Sequence, residues 1–267
     1  TANWTNIDSH TSFSNNCDKT YVPDDNFEAY LETHDASGNV VSVGDANSMG
    51  DGIANNDSVT TANISGVTSL DVNNQNIADL TGIEDFTAIT NLVCYNNQLT
   101  SLDVSNNVSI TILECEQNQL SILDVSNNTN LALLYCGWNL ITNLDLSQNT
   151  NLSTLACGFN EITILDLTNN TLLGALYCND LLITSLDLSN NTSLTLLDCR
   201  DLLGQNSVLS NLDIRNGNNT NFTDFQATGN SNLNCVSVDD ATWATANWTN
   251  IDAHTTFSDD CANFNLA

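Results

Sequence analysis

Six cysteines, Cys94, Cys115, Cys136, Cys157, Cys178 and Cys199, recur at a constant spacing of 21 residues. A thiol array could hold metal or run redox chemistry. Each of these cysteines, however, stands where the surrounding pattern elsewhere puts leucine, and a buried cysteine behaves as a small hydrophobe. The structural role is therefore expected. A second candidate chemistry is cation binding: Asp45, Asn47, Asp51 and Asp57 surround the turn at Gly50, Asp51 and Gly52, a shortened version of a calcium loop. The bidentate glutamate that closes the usual loop is absent. Asp57 takes its place if one residue is deleted, and an acidic turn without calcium is the alternative.

A third set is the column Asp103, Asp124, Asp145, Asp166, Asp187 and Asp213. Stacked carboxylates repel, so such a column needs hydrogen bonds or counter-ions. Serines at 105, 126, 147 and 189 are placed to donate, and the column reads as structural before it reads as a cation site. Catalysis needs convergent groups, yet His10, His34 and His254 are the only histidines, and no nucleophile motif or phosphate loop occurs. The expectation is a protein that is not an enzyme and requires no cofactor, calcium being the one candidate.

These residues sit on a repeat. Each 21-residue period has two near-equal halves. One reads LxxLxC with asparagine three residues on, as in Leu131, Leu134, Cys136 and Asn139; the other reads like Ile141, Leu144, Leu146 and Asn149. Apolar residues at alternate positions point inward from extended chain and the residue between points out. No 3.6-residue period appears in the repeats. Stacking puts equivalent residues about 4.8 Å apart, so leucines fill a continuous core and asparagines form ladders that satisfy turn backbone. Leu181 and Leu202 replace the ladder asparagine, and extra residues at Gly204–Val208 interrupt one turn; the ladder should break there.

The pattern LxxLxCxxNxLxxLDLxxNxx, matched from about Ile89 to Leu202, resembles the bacterial leucine-rich repeats of the IRREKO class. The resemblance implies a leucine-rich-repeat solenoid, β-rich, with short parallel strands on two faces and almost no helix in the repeats. A short amphipathic helix within Pro23–His34, with Phe27, Tyr30 and Leu31 on one face, reads as the N-terminal cap.

The segment Thr1–Cys17 recurs as Thr245–Cys261 with 13 of 17 positions identical. In the second copy Cys235 lies 26 residues before Cys261, a disulfide expected to close the C-terminal cap. The partner of Cys17 would lie outside the sequence. The expected division is 1–17, tail of a preceding module; 18–66, N-terminal cap; 67–230, solenoid; 231–267, C-terminal cap. Neighbouring leucine-rich-repeat modules of the same chain follow from this. The cap resembles one found in secreted leucine-rich-repeat proteins of the Bacteroidetes, which, with the disulfide, implies secretion or the cell surface.

Thirty-two acidic residues oppose three basic ones, a formal charge of -29, which repels phosphate backbones and anionic lipid. No run of about 18 apolar residues is present. Neither nucleic acid nor membrane insertion is expected. Comparing coils with one another separates a monotonous aspartate face from a face whose outward residues vary. On the variable face, Tyr95, Glu114, Tyr135, Trp138, Phe159, Tyr177 and Arg200 are the candidate ligand-binding residues, since tyrosine and tryptophan concentrate at interfaces. The leading expectation is an extracellular, non-catalytic binding or adhesion module for a protein or other macromolecule. A carbohydrate-binding module and a structural spacer are the alternatives.

Overall fold

The computed structural model describes residues 18–204 and 208–261. The segment Thr1–Cys17 and part of the turn at Gly204–Val208 lie outside the described residues. In chain order the cap elements are β1 (Lys19–Tyr21), α1 (Asp25–Thr33), β2 (Ser58–Thr60) and α2 (Thr61–Ile64). The coils supply β3 (Ser69–Asp71), β4 (Asn91–Val93), β5 (Ile112–Glu114), β6 (Leu133–Tyr135), β7 (Thr154–Ala156), β8 (Ala175–Tyr177), β9 (Ser185–Asp187), β10 (Leu196–Asp198), β11 (Asn211–Asp213) and β12 (Asp224–Gln226). The C-terminal cap adds β13 (Cys235–Ser237), α3 (Ala241–Asn247) and β14 (Thr256–Ser258).

The molecule is a leucine-rich-repeat β-solenoid. One face is a parallel sheet of eight strands in the order β12-β10-β8-β7-β6-β5-β4-β3, and the other a parallel sheet of four, β14-β13-β11-β9. Every strand has three residues, and in most the middle one points inward and is buried. The period-2 rule therefore fixes what faces out. On the first face pairing runs unbroken from β3 to β8 and on through β10 to β12. On the second face, ordered pairing in strands begins only at β9; earlier coils contribute one bridge, Asp103 to Asp124.

Between the faces lie stacked rows that include Leu92, Leu113, Leu134, Leu155, Leu176 and Leu197, all 0% exposed, and the six cysteines beside them. The asparagine ladders hold the turns. In the first, Asn139 Nδ2 donates to the carbonyls of Cys115 and Cys136, and Asn139 Oδ1 accepts the Leu120 N–H. In the second, Asn149 Nδ2 donates to the carbonyls of Val125 and Asn128. The first ladder breaks at Leu181, which is buried in the asparagine's place, and it resumes at Asn230. Leu202 is 50% exposed. A small cavity of about 60 Å³ marks the break, lined by Leu181, Ile183, Leu209 and Asn230 among others.

At the N-terminal end Asp24 caps α1 by accepting the N–H groups of Asn26 and Phe27. Its second oxygen accepts those of Ala78 and Asp79, pinning the helix to the first coil. Phe27 and Leu31 are fully buried, and Tyr30 is nearly so. At the other end Trp248 stacks on Phe225 with ring centroids 4.4 Å apart, and Cys235 is disulfide-bonded to Cys261.

Candidate binding face

The eight-stranded sheet displays its outward residues as straight columns because the strands pair in register. The column through the last residue of each strand reads Asp71, Val93, Glu114, Tyr135, Ala156, Tyr177, Asp198 and Gln226. Tyr135 thus sits between Glu114 and Ala156, and Tyr177 between Ala156 and Asp198. Burial, then the nearby Glu114 carboxylate, then Tyr177 and Glu116, push the Tyr135 hydroxyl above its ordinary value. Glu116, also raised, owes this first to burial and then to Glu114. Its Oε2 is shielded from solvent and has no hydrogen-bond partner.

Past each of β3 to β8 the chain turns through a left-handed residue, and these too align: Asn74, Asn96, Gln117, Trp138, Phe159 and Asp180 all have φ between 51° and 58°. Asparagine tolerates that conformation; for a tryptophan or phenylalanine it costs about 1–2 kcal/mol. The backbone is held there by the Trp138 N–H on the Gly158 carbonyl and the Phe159 N–H on the Asn179 carbonyl. The two rings stack on each other, centroids 3.8 Å apart and planes 13° from parallel, and Trp138 remains 51% exposed. Gly137 and Gly158, just before them, are buried, and a Cβ on Gly137 would come within 2.9 Å of the Gly158 carbonyl oxygen. Glycine here serves coil stacking.

Sequence reasoning placed Tyr135, Trp138, Phe159 and Tyr177 on one face, and the structure gathers them in three consecutive coils. Tyr95 and Glu114 lie on the same face in the two preceding coils, both half-buried. Arg200 is engaged rather than free: its Nε donates to Asp198 Oδ1 at 2.8 Å and its Nη2 to Asp198 Oδ2 at 2.5 Å. Asp198 also accepts from Asn179 Nδ2. Residues two apart on a strand point the same way, which is the signal that could have paired Asp198 with Arg200.

The four residues read as a calcium loop do not converge. Asp51 Oδ2 is taken by Lys19 at 3.1 Å, with Asn56 and Ser58 also donating to it. Asp45 accepts the backbone and side-chain N–H groups of Asn47. Asp57 instead has oxygens near those of Asp25 and Glu28, all within 4.8 Å of one another. What orders this loop escaped the sequence reading: two buried carboxylates on α1. Glu32 accepts the N–H groups of Asp51 and Gly52, and Glu28 those of Asn56 and Asp57. A Cβ on Gly50 would fall 2.1 Å from the Glu32 carboxyl, so the approach requires glycine.

The aspartate column is spent locally. Asp103, Asp124, Asp145, Asp166 and Asp187 each accept the N–H of the residue two further on, at 2.9–3.0 Å. The hydroxyls of Ser105, Ser126 and Thr168, and then these backbone bonds, hold Asp103, Asp124 and Asp166 below the ordinary carboxylate value. The six ladder cysteines are free thiols and buried; burial pushes Cys157 and Cys199 up to about 12. Such thiols are poor ligands and nucleophiles.

No protein-family model matches the chain. It is 45% identical over 51 residues to Internalin J of Listeria monocytogenes serotype 4b (strain F2365), a stretch covering 19% of this chain and 6% of that protein. Among solved structures, the functional domain of InlJ from Listeria monocytogenes, which includes a cysteine ladder, shares 27% identity at a TM-score of 0.43, over 82% of this chain and 67% of that one. Internalin C2 from Listeria monocytogenes str. 4b F2365 gives 23% and 0.44, over 82% and 97%. A leucine-rich-repeat protein of Leptospira interrogans gives 15% and 0.46, over 74% and 62%. The structures similar to this one are thus bacterial leucine-rich-repeat proteins, internalins among them.

Proposed function

We propose that the chain is a non-catalytic binding or adhesion module that recognises a protein through the variable outward face of its eight-stranded sheet. The observation that carries this reading is the Trp138–Phe159 pair. Two large rings occupy left-handed backbone positions where asparagine and glutamine stand in other coils, and one of them is half-exposed. Strain held at an exposed aromatic pair is a mark of function rather than of packing. Internalin J is similar to part of this chain, which is in keeping with the reading.

A second reading, carbohydrate binding, draws on the same exposed indole, since a flat ring stacks on a sugar face. A structural spacer is the third. We place the module outside the cell or on its surface, because a structural disulfide persists in oxidising compartments. No described helix is long and apolar enough to cross a membrane. The copy at Thr245–Cys261 builds the end of α3, β14 and one disulfide cysteine. Its recurrence in sequence at Thr1–Cys17 supports neighbouring modules of the same kind in the chain.

The test is a screen of the intact chain against surface proteins and glycans, with calcium and with chelator, alongside Trp138→Ala. Binding to a protein that falls at least about tenfold in the variant supports the reading. Binding to glycans alone favours the second reading. Equal binding by Trp138→Ala removes the aromatic pair as its basis, and no binding at all favours the spacer. Loss in chelator would assign calcium a place, with Asp25, Glu28 and Asp57 as the cluster to mutate first.

A further inference from the structure

At the break in the first ladder the fastening of one coil to the next changes its chemistry. Elsewhere a neutral amide does the work, as when Asn139 Oδ1 accepts the Leu120 N–H and Asn160 Oδ1 that of Ile141. Where Leu181 is buried in the asparagine's place, Asp180 takes over. Its Oδ1 accepts the N–H groups of Leu202 and Leu203, at 3.1 and 2.8 Å, and its Oδ2 shares the first of them. Asp201 stands over Asp180 in register, three residues past the pair Tyr177 and Asp198, and its Oδ1 accepts the Gly204 N–H at 2.7 Å. Two carboxylates thus hold the turn at residues 202–204. Both line the cavity at the break, and they lie within hydrogen-bonding reach of each other. Asp201 Oδ2 is shielded from solvent and has no donor. While both groups are ionised neither can supply one; a single proton between them does.

We infer that Asp180 and Asp201 form a proton-operated latch, in which the pair binds one shared proton as the medium acidifies and so tightens the turn at residues 202–204. Release of the proton at neutral pH leaves two facing anions and a looser turn. The latch is independent of what the variable face binds. Two carboxylates so placed ionise together only at a cost, and the proton belongs to the pair rather than to either residue. Burial first, and then the bond to Asp201, raise the Asp180 carboxyl above its ordinary value, against the N–H groups of Leu203 and Leu202, which lower it. The sign follows: the stabilisation is complete below the ordinary carboxylate value and is lost as the pH rises through the raised one. The surrounding charges are Arg200, bonded to Asp198 and facing Asp224 as well as Asp180, and Asp252, which accepts the Gly229 N–H in the turn packed on Asp201. The Cys178 and Cys199 thiols line the same cavity, and burial keeps both protonated far above the acid range.

The test is amide exchange by NMR on the intact chain between about pH 7.5 and pH 4, corrected for intrinsic rates, with the side-chain carboxyl carbons followed in the same titration. Protection of the Leu202, Leu203 and Gly204 amides should rise about tenfold on acidification, while Leu120 and Ile141, held by asparagine, stay unchanged. Asp201→Asn puts an amide donor where the proton would sit and should show the high protection at every pH. In the unaltered chain the Asp180 and Asp201 carboxyls should titrate together, in two steps. Protection at residues 202–204 that ignores pH, a pH dependence that survives in Asp201→Asn, or an equal rise at Leu120 and Ile141 overturns the proposal. Two carboxyls that titrate independently of each other do the same, and this reading stands even if Asp201→Asn fails to fold.

Discussion

Asn149 shows how one side chain fastens two coils. It is fully buried, and its amide reaches the Val125 and Asn128 carbonyls of the preceding coil at 3.0 Å each. Its Oδ1 finds no partner, so Asn149→Ala removes one orphaned oxygen and two hydrogen bonds, leaving the carbonyls of Val125 and Asn128 with one bond each, from the N–H groups of Asn128 and Leu131. The net loss should be about 2 kcal/mol, read as a lower urea midpoint with an unchanged slope; a shift too small to measure would mean that neighbouring coils absorb the change. At this scale the sequence was legible where a rule has one outcome. Leucine between polar neighbours pointed inward, and asparagine at a fixed offset capped a turn. It was not legible at Trp138 and Phe159, whose left-handed backbone runs against their own preference and is imposed by the coil. Nor did it show that Asp51 would be claimed by Lys19, a contact between residues far apart in the chain.

At the scale of elements, the 21-residue period covers β4 to β8 and β10 of the first face, while β3 and β12 lie outside the stretch it matches. The second face shows the limit of alternation. It marks correctly which residues point in, as Leu123, Leu144 and Leu165 do, but it carries no information on whether adjacent coils exchange backbone hydrogen bonds. There the aspartate takes the N–H two residues on, and ordered strands appear only toward the C-terminal end, from β9 onward. The cysteine row offers a direct check on the interior of the other sheet. All six ladder thiols should resist alkylation by iodoacetamide in the native protein at neutral pH and react on denaturation, counted by mass spectrometry. Fast native labelling at Cys178 or Cys199 alone would instead show that the cavity at the ladder break opens to solvent.

For the molecule as a whole, the two ends do different work. The N-terminal cap is fastened by carboxylates and the C-terminal one by a disulfide and an aromatic cluster. In a stack where each coil touches only its neighbours, stability is nearly a sum of local terms. Replacing Cys235 and Cys261 by alanine should therefore cost about 3 kcal/mol, from the lost constraint on a loop of 26 residues. The loss should appear in hydrogen exchange at β13 and β14 and leave the coils around Cys136 and Cys157 unchanged; uniform acceleration along the chain would show one cooperative unit instead. The same locality bears on heredity. Because successive coils are interchangeable in register, a crossover between misaligned repeats of the gene inserts or deletes whole coils in frame, with both caps intact. A deletion confined to the coils of Tyr135 and Phe159 would yield a shorter protein that still folds and has lost its aromatic surface. Lineages can in this way trade one ligand for another by recombination, without passing through unfolded intermediates.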